Sequence, residues 1–308
     1  MKQAFRQYGS VAAVLAVIAA LSVLLTLLMG GLVPKGRRDD RPIVLATTYP
    51  IYVAAQHILG DDTTIALTRL DGSASGCLHD YQLSPSDRRA VQEAQIILMN
   101  GAGAESFLDG IVDADKCVDT SAKAELLLLD GEHHHDHGDD HPHEEYNEHL
   151  WLSPDRYIEQ VEAVRDALCA LDPDMADVYY ANAYEYALAI YNVQAQLESM
   201  TEALAGRPCV LFHDSMAYLA ADLGLDVKLT LSAEGESGLS AADLKKVEAL
   251  AADNPDLLLF YDTQYALRYE GVAGQPVTID TAVVGEGNAD DWLTAMKKNV
   301  ETLKKVVG

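Results

Sequence analysis

Ile43-Val-Leu-Ala-Thr-Thr-Tyr-Pro-Ile-Tyr-Val-Ala-Ala-Gln-His-Ile-Leu59 opens the body of the chain and decides its fold class. Ile43 to Thr48 is a short apolar run of strand type, and Pro50 to Leu59 reads as a helix. The alternation then repeats. Thr63 to Leu70 reads as a strand and Ser84 to Ala94 as a helix, with Ser84 as cap and Pro85 where a first helical residue tolerates proline. Ile96 to Met99 is another buried strand, and Lys116 to Asp119 closes the series. Strands alternating with helices imply a parallel sheet.

Further along, Ser153-Pro154 starts a helix to about Ala170, and Asp172-Pro173-Asp174 starts a long one that runs to Leu204. Tyr179, Tyr180, Tyr184, Tyr186 and Tyr191 lie within the long helix and read as an amphipathic packing surface. A second alternation follows: strands at Val210 to Phe212, Val227 to Leu231, Leu257 to Tyr261 and Val277 to Asp280, with helices at Ser215 to Leu223, Ser240 to Asp253 and Asp291 to Val307. The expected fold is α/β, with two lobes, each a mostly parallel sheet flanked by helices, joined by one long linker helix. An N-terminal membrane-anchor or signal helix precedes them. The divisions are 1–41 for anchor and linker, 42–173 for the first lobe with a His-rich acidic loop at 130–148, 174–205 for the linker helix, and 206–308 for the second lobe.

Composition narrows the function. A chain of 308 residues exceeds what one core usually serves, and its net charge of −26 with no basic patch excludes nucleic acid as a partner. Val11 to Val33 carries no charge over 23 positions and follows Lys2 and Arg6. That length spans a bilayer, so the N-terminus is expected inside and the body exported, with a cleaved signal peptide as the alternative. Cys77, Cys117, Cys169 and Cys209 allow up to two disulfides, and no CxxC spacing suggests a thiolate zinc knuckle. Cys169 and Cys209 flank a helix whose ends lie roughly 45 Å apart if straight, which argues against that pair. The turn Gly101-x-Gly103 lacks the third glycine of a dinucleotide fingerprint, since position 106 is Ser, and reads as a tight turn.

Six of the ten histidines fall between His133 and His143, interleaved with Asp and Glu and without Lys or Arg. Imidazoles and carboxylates in this mixture collect divalent transition metals, although a tract so poor in apolar residues cannot fix a coordination geometry. An internal affinity tag or a merely solvated loop are the bland alternatives. Outside the tract stand His57, His79, His149 and His213. His57 sits inside a helical segment and reads as a packing histidine. The other three lie in loops that introduce helices, where ligands of open α/β sheets collect.

At these residues the chain resembles the metal-binding receptors of bacterial ABC importers for zinc and manganese, the zinc-uptake branch in particular. The resemblance rests on an ordered set: Ala46-Thr-Thr-Tyr-Pro50, His79-Asp-Tyr with Pro85-Ser-Asp87, Asn100-Gly-Ala-Gly-Ala-Glu105, His149-Leu-Trp-Leu-Ser-Pro154, Phe212-His-Asp-Ser-Met-Ala-Tyr218, Gly238-Leu-Ser-Ala-Ala-Asp-Leu244 and Asp280. It implies metal ligands at His79, His149, His213 and Asp280, with Asp262 as the competing carboxylate. Three imidazoles and one carboxylate suit Zn²⁺ as the transported ligand, whereas Mn²⁺ favours more oxygen donors. The implied function is that of an extracytoplasmic zinc receptor, held to the membrane by its N-terminal helix and delivering Zn²⁺ to an ABC permease. The chain departs from the family pattern at Leu78, at Asn147-Glu148 (usually Asp-Pro), at Asp262 (usually Glu) and in lacking a lipid-anchoring cysteine. The alternatives are a manganese or iron receptor, an adhesin-like surface protein, and an exported zinc hydrolase. The hydrolase is disfavoured because His143-Glu144 has Asn147 where a zincin motif needs its second histidine.

Overall fold

Two four-stranded sheets carry the molecule, and every strand pair in both is parallel. The computed structural model describes residue 21 and residues 40–70, 81–129, 146–231, 240–264 and 272–308. The apolar run from Val11 to Val33 apart from Leu21, the segment with Cys77 and His79, the His-rich tract and Gly238 lie outside the described residues. Among the described residues no helix is long and apolar enough to cross a membrane.

The first sheet is built from β1 (Ile43–Ala46), β2 (Ala66–Arg69), β3 (Ile96–Met99) and β4 (Cys117–Asp119), in the order β2-β1-β3-β4. The second uses β5 (Pro208–Leu211), β6 (Asp226–Thr230), β7 (Leu258–Asp262) and β8 (Gln275–Ile279) in the same pattern, β6-β5-β7-β8. In each, the chain leaves its first strand in one direction and later returns to its other side. Such a reversal opens a crevice beyond the strand carboxyl ends, here after β1 and β3 and again after β5 and β7.

The uninterrupted apolar runs of the inner strands β1, β3 and β5 follow from burial on both faces. Successive side chains point to opposite sides, so Leu45 and Ile97 join a small outer core with Val91 and Leu108, whereas Val44, Ala46 and Leu98 face inward. The second sheet divides alike: Val210, Phe212, Leu259 and Tyr261 pack outward with Val247, and Leu211, Leu258 and Phe260 inward. The two inward faces share one continuous core, in which each large side chain contributes about 1.5–3 kcal/mol by leaving water.

Seven α-helices are described: α1 (Tyr49–Leu59), α2 (Pro85–Glu93), α3 (Pro154–Leu171), α4 (Ala176–Leu204), α5 (Ala217–Asp222), α6 (Ala241–Asp253) and α7 (Asp291–Val307). Ser84 caps α2 as expected, and Asp87 completes a reciprocal capping box by accepting from the Ser84 amide. The 29 residues of α4 extend roughly 43 Å without Gly or Pro, preceded by a 3₁₀ turn at Pro173–Met175. This helix packs on α1 and α3 from the first sheet and on α7 from the second. Its tyrosines split by face: Tyr179 and Tyr186 are buried, while Tyr180, Tyr184 and Tyr191 are exposed. His57 stacks on the Tyr186 ring at 3.7 Å, which makes it a packing histidine. Cys117, Cys169 and Cys209 are all free thiols.

Several bonds tie the two sheets' surroundings together. The Trp151 indole donates to the Thr281 carbonyl at 2.7 Å, and the Trp292 indole donates to the Trp151 carbonyl at 2.9 Å. Arg156 pairs with Asp222 at 3.1 Å, and the Tyr49 hydroxyl donates to Asp291.

Candidate metal centre

His213 ends up at its position because β5 stops at Leu211 and the chain turns at the crevice edge into a 3₁₀ turn, Asp214–Met216. His149 comes from the other half, as the residue before the 3₁₀ turn Leu150–Leu152 that leads into α3. Their rings meet edge to face with centroids 5.5 Å apart. Both are almost fully buried, 1% exposed for His149 and 4% for His213. Asp214 joins them: each of the three offers a ligand atom within 4.8 Å of the others.

The orientation of each imidazole is set by what its Nδ1 meets. Nδ1 of His149 lies 3.1 Å from Asn147 Oδ1, an atom that can only accept, so Nδ1 carries the proton and the Nε2 lone pair is left free to coordinate. Nδ1 of His213 is 3.0 Å from the Ser215 amide and 3.0 Å from Asp214 Oδ1. The amide needs a lone pair there, whereas the carboxylate needs a proton. In the hydrogen bond from the Ser215 amide Nδ1 accepts, and the Asp214 contact becomes an ion pair only when the ring is protonated.

Two further carboxylates border the centre. Asp262, at the end of β7, accepts from Thr281 Oγ1 at 2.8 Å and from the Gln264 amide at 2.8 Å. Burial pushes its carboxyl above the ordinary range, against the hydrogen bonds from the Gln264 amide and the Thr281 hydroxyl. Asp280 follows β8 and has its backbone clamped by Asn299, which exchanges a bond with its amide and one with its carbonyl, both at 2.8 Å. Its Oδ1 accepts from the Ala282 amide at 3.1 Å and from Gln264 Nε2 at 3.2 Å. Asp280 is not in the close group formed by His149, His213 and Asp214, and His79 lies outside the described residues.

Beneath His149, the turn after β3 is an anion-binding nest that the chain itself has filled. Gly101, Ala102 and Gly103 have positive φ, and a Cβ on Gly101 would sit 1.9 Å from Asp119 Oδ1. Glu105 accepts from the Asn100 amide at 2.7 Å, the Gly101 amide at 3.1 Å and the Thr47 hydroxyl at 2.6 Å. Its occupancy of the nest explains why these glycines need no phosphate. Asn100 then donates to the carbonyl of Glu148 at 2.8 Å, one residue before His149. Burial pushes the Glu105 carboxyl up to about 7 against those donors, with Glu148 adding to the rise.

Of the residues expected from sequence, His149 and His213 come together here, and Asp214, not singled out from sequence, stands beside them inside the Phe212-His-Asp-Ser segment. The adjacency to a histidine was the available signal. The contacts of Asn100, Asn147 and Gln264 were not readable, because their partners lie 48, 67 and 16 residues away.

The sequence profile of the family described as zinc-uptake complex component A, periplasmic (ZnuA), matches residues 44–306. The chain is 25% identical over 286 residues to the zinc-binding lipoprotein AdcA of Streptococcus pneumoniae, covering 87% of this chain and 56% of that protein. It is 27% identical over 208 residues to the high-affinity zinc uptake system protein ZnuA of Yersinia pestis, covering 61% and 65%. The chain thus spans about half the length of AdcA. Two solved structures share the fold. A crystal structure of ZnuA superimposes with a TM-score of 0.68 at 23% identity, covering 87% of this chain and all of that one. The binding protein FpvC of Pseudomonas aeruginosa, in complex with Mn²⁺, gives 0.71 at 21% identity, covering 87% and 99%.

Proposed function

This chain belongs to the ZnuA family of metal-binding receptors for ABC importers, and on that footing we propose that it binds zinc tightly outside the cytoplasm and delivers it to a membrane permease. The family is one of binding proteins and not of enzymes. The observation that carries the reading is the pair His149 and His213, buried and 5.5 Å apart, contributed by loops of different sheets. Zinc is then held by His79, His149, His213 and Asp280, a four-coordinate N/O set. The body divides into a lobe at 42–173, the linker helix at 174–205 and a lobe at 206–308. An N-terminal helix keeps the receptor at the membrane.

A manganese receptor is the second reading, favoured by Asp214 and Asp262, which bring carboxylate oxygens close to His213. Metal analysis of the purified protein, followed by competition between Zn²⁺ and Mn²⁺, separates the two. Tight stoichiometric zinc binding that His149→Ala and His213→Ala each abolish is the expected result. Preference for Mn²⁺, or zinc binding that survives both substitutions together, refutes it.

A further inference from the structure

Asn147 makes two connections between the two halves, to Asp214 and Tyr218, and holds its own loop through His149 and Leu127. Its side-chain Oδ1 accepts from the His149 amide at 2.9 Å, closing an Asx turn, and lies 3.1 Å from His149 Nδ1. Its Nδ2 donates across the site to the Asp214 carbonyl at 2.9 Å. Its own carbonyl accepts from the Tyr218 hydroxyl at 2.7 Å, and its amide donates to the Leu127 carbonyl at 2.8 Å. The residue is buried, so each of these bonds is exchanged for nothing in water if lost. The amide orientation is unambiguous, because the Asp214 carbonyl requires the nitrogen and the His149 amide requires the oxygen.

We propose that Asn147 is the positioning residue that presets the metal centre: one carboxamide fixes the donor face of His149 and ties that histidine to the loop carrying His213 and Asp214. The inference rests on His149 and His213 being metal ligands. A carboxylate at 147 could do the first task but not the second, since two oxygens would face each other at the Asp214 carbonyl. A carboxamide does both, and it adds no charge beside the incoming cation. The two imidazoles are therefore held at binding distance before the metal arrives, and their approach costs no affinity.

The test compares Asn147→Ala and Asn147→Asp in the full chain. In metal-free protein at pH 8, ¹⁵N spectra report the His149 tautomer, and hydrogen exchange reports the 213–217 segment. Zinc affinity is measured by chelator competition. The alanine variant should lose the single Nδ1–H tautomer, exchange faster at 213–217 and bind zinc about 10–100-fold more weakly, the usual cost of removing an outer-shell partner. The aspartate variant should keep the tautomer yet exchange as fast as the alanine variant. Wild-type zinc affinity in the alanine variant overturns the proposal, as does unaltered exchange at 213–217 in both variants. If His149→Ala and His213→Ala also bind zinc like wild type, the ligand assignment fails first, which separates the two failures. A thermal melt of each variant confirms that it is folded.

Discussion

Replacing Glu105 with Gln should remove a pH dependence that is built into the fold. Burial lifts this carboxyl from the ordinary 4.5 to about 7 in the folded protein. Between those values the native state holds a proton that the unfolded chain has released, so native stability declines as pH rises. The contribution is fully present below about 4.5 and lost on passing about 7, an interval equivalent to about 3 kcal/mol. Glutamine has no such proton and shows no such decline. It does set an amide nitrogen or a single oxygen against three donors, from Thr47, Asn100 and Gly101, which costs about 1 kcal/mol at every pH. The variant should therefore be less stable than wild type at pH 4.5 and as stable or more so at pH 8. Urea unfolding followed by far-UV circular dichroism, with chelator present to exclude metal, measures both proteins across that range. A stability difference that stays constant from pH 4.5 to 8 would refute the burial argument.

Asp291 gathers the amides of Glu286, Gly287 and Asn288 and the hydroxyl of Tyr49, so Asp291→Ala should destabilise the fold by about 2–4 kcal/mol in urea titrations. A loss below about 0.5 kcal/mol would show that water replaces the carboxylate. Solution scattering should give nearly equal radii of gyration with and without Zn²⁺, because α4 is unbroken and the bonds of Trp151, Arg156 and Tyr49 already join the two halves. A clear compaction on adding metal would count against that rigidity. Deleting Glu132 to Glu145 should lower the number of weakly bound metals and leave the tight one in place, and loss of tight binding would mean that the tract supplies primary ligands.

The inner strands β1, β3 and β5 were readable because both their faces are covered, which leaves short apolar runs such as Ile96–Met99 with no polar residue to blur their ends. Proline and serine marked helix starts for an equally local reason, as at Ser84-Pro85 and Ser153-Pro154. The segment from Ser215 to Leu223 was less legible. It divides into a 3₁₀ turn and the six-residue α5, since the backbone must first turn to satisfy His213. His149 and His213 could be chosen by residue type and loop position alone. What joins them could not, because Asn147, visible in sequence only as a departure from the family pattern, acts through a carbonyl 67 residues away.

Val44, Ala46 and Leu98 share one hydrophobic interior with Leu211, Phe260 and Val277, and Ile190, Val193 and Leu197 of the long helix complete it. Neither half is therefore complete without the other, since a chain cut near Leu204 would expose the inner surface of both. Change in what the receptor carries is channelled into the loops beyond the strand ends, where substitutions leave that interior intact. The repeated strand order of the two sheets thus describes one interdependent fold and not two independent parts.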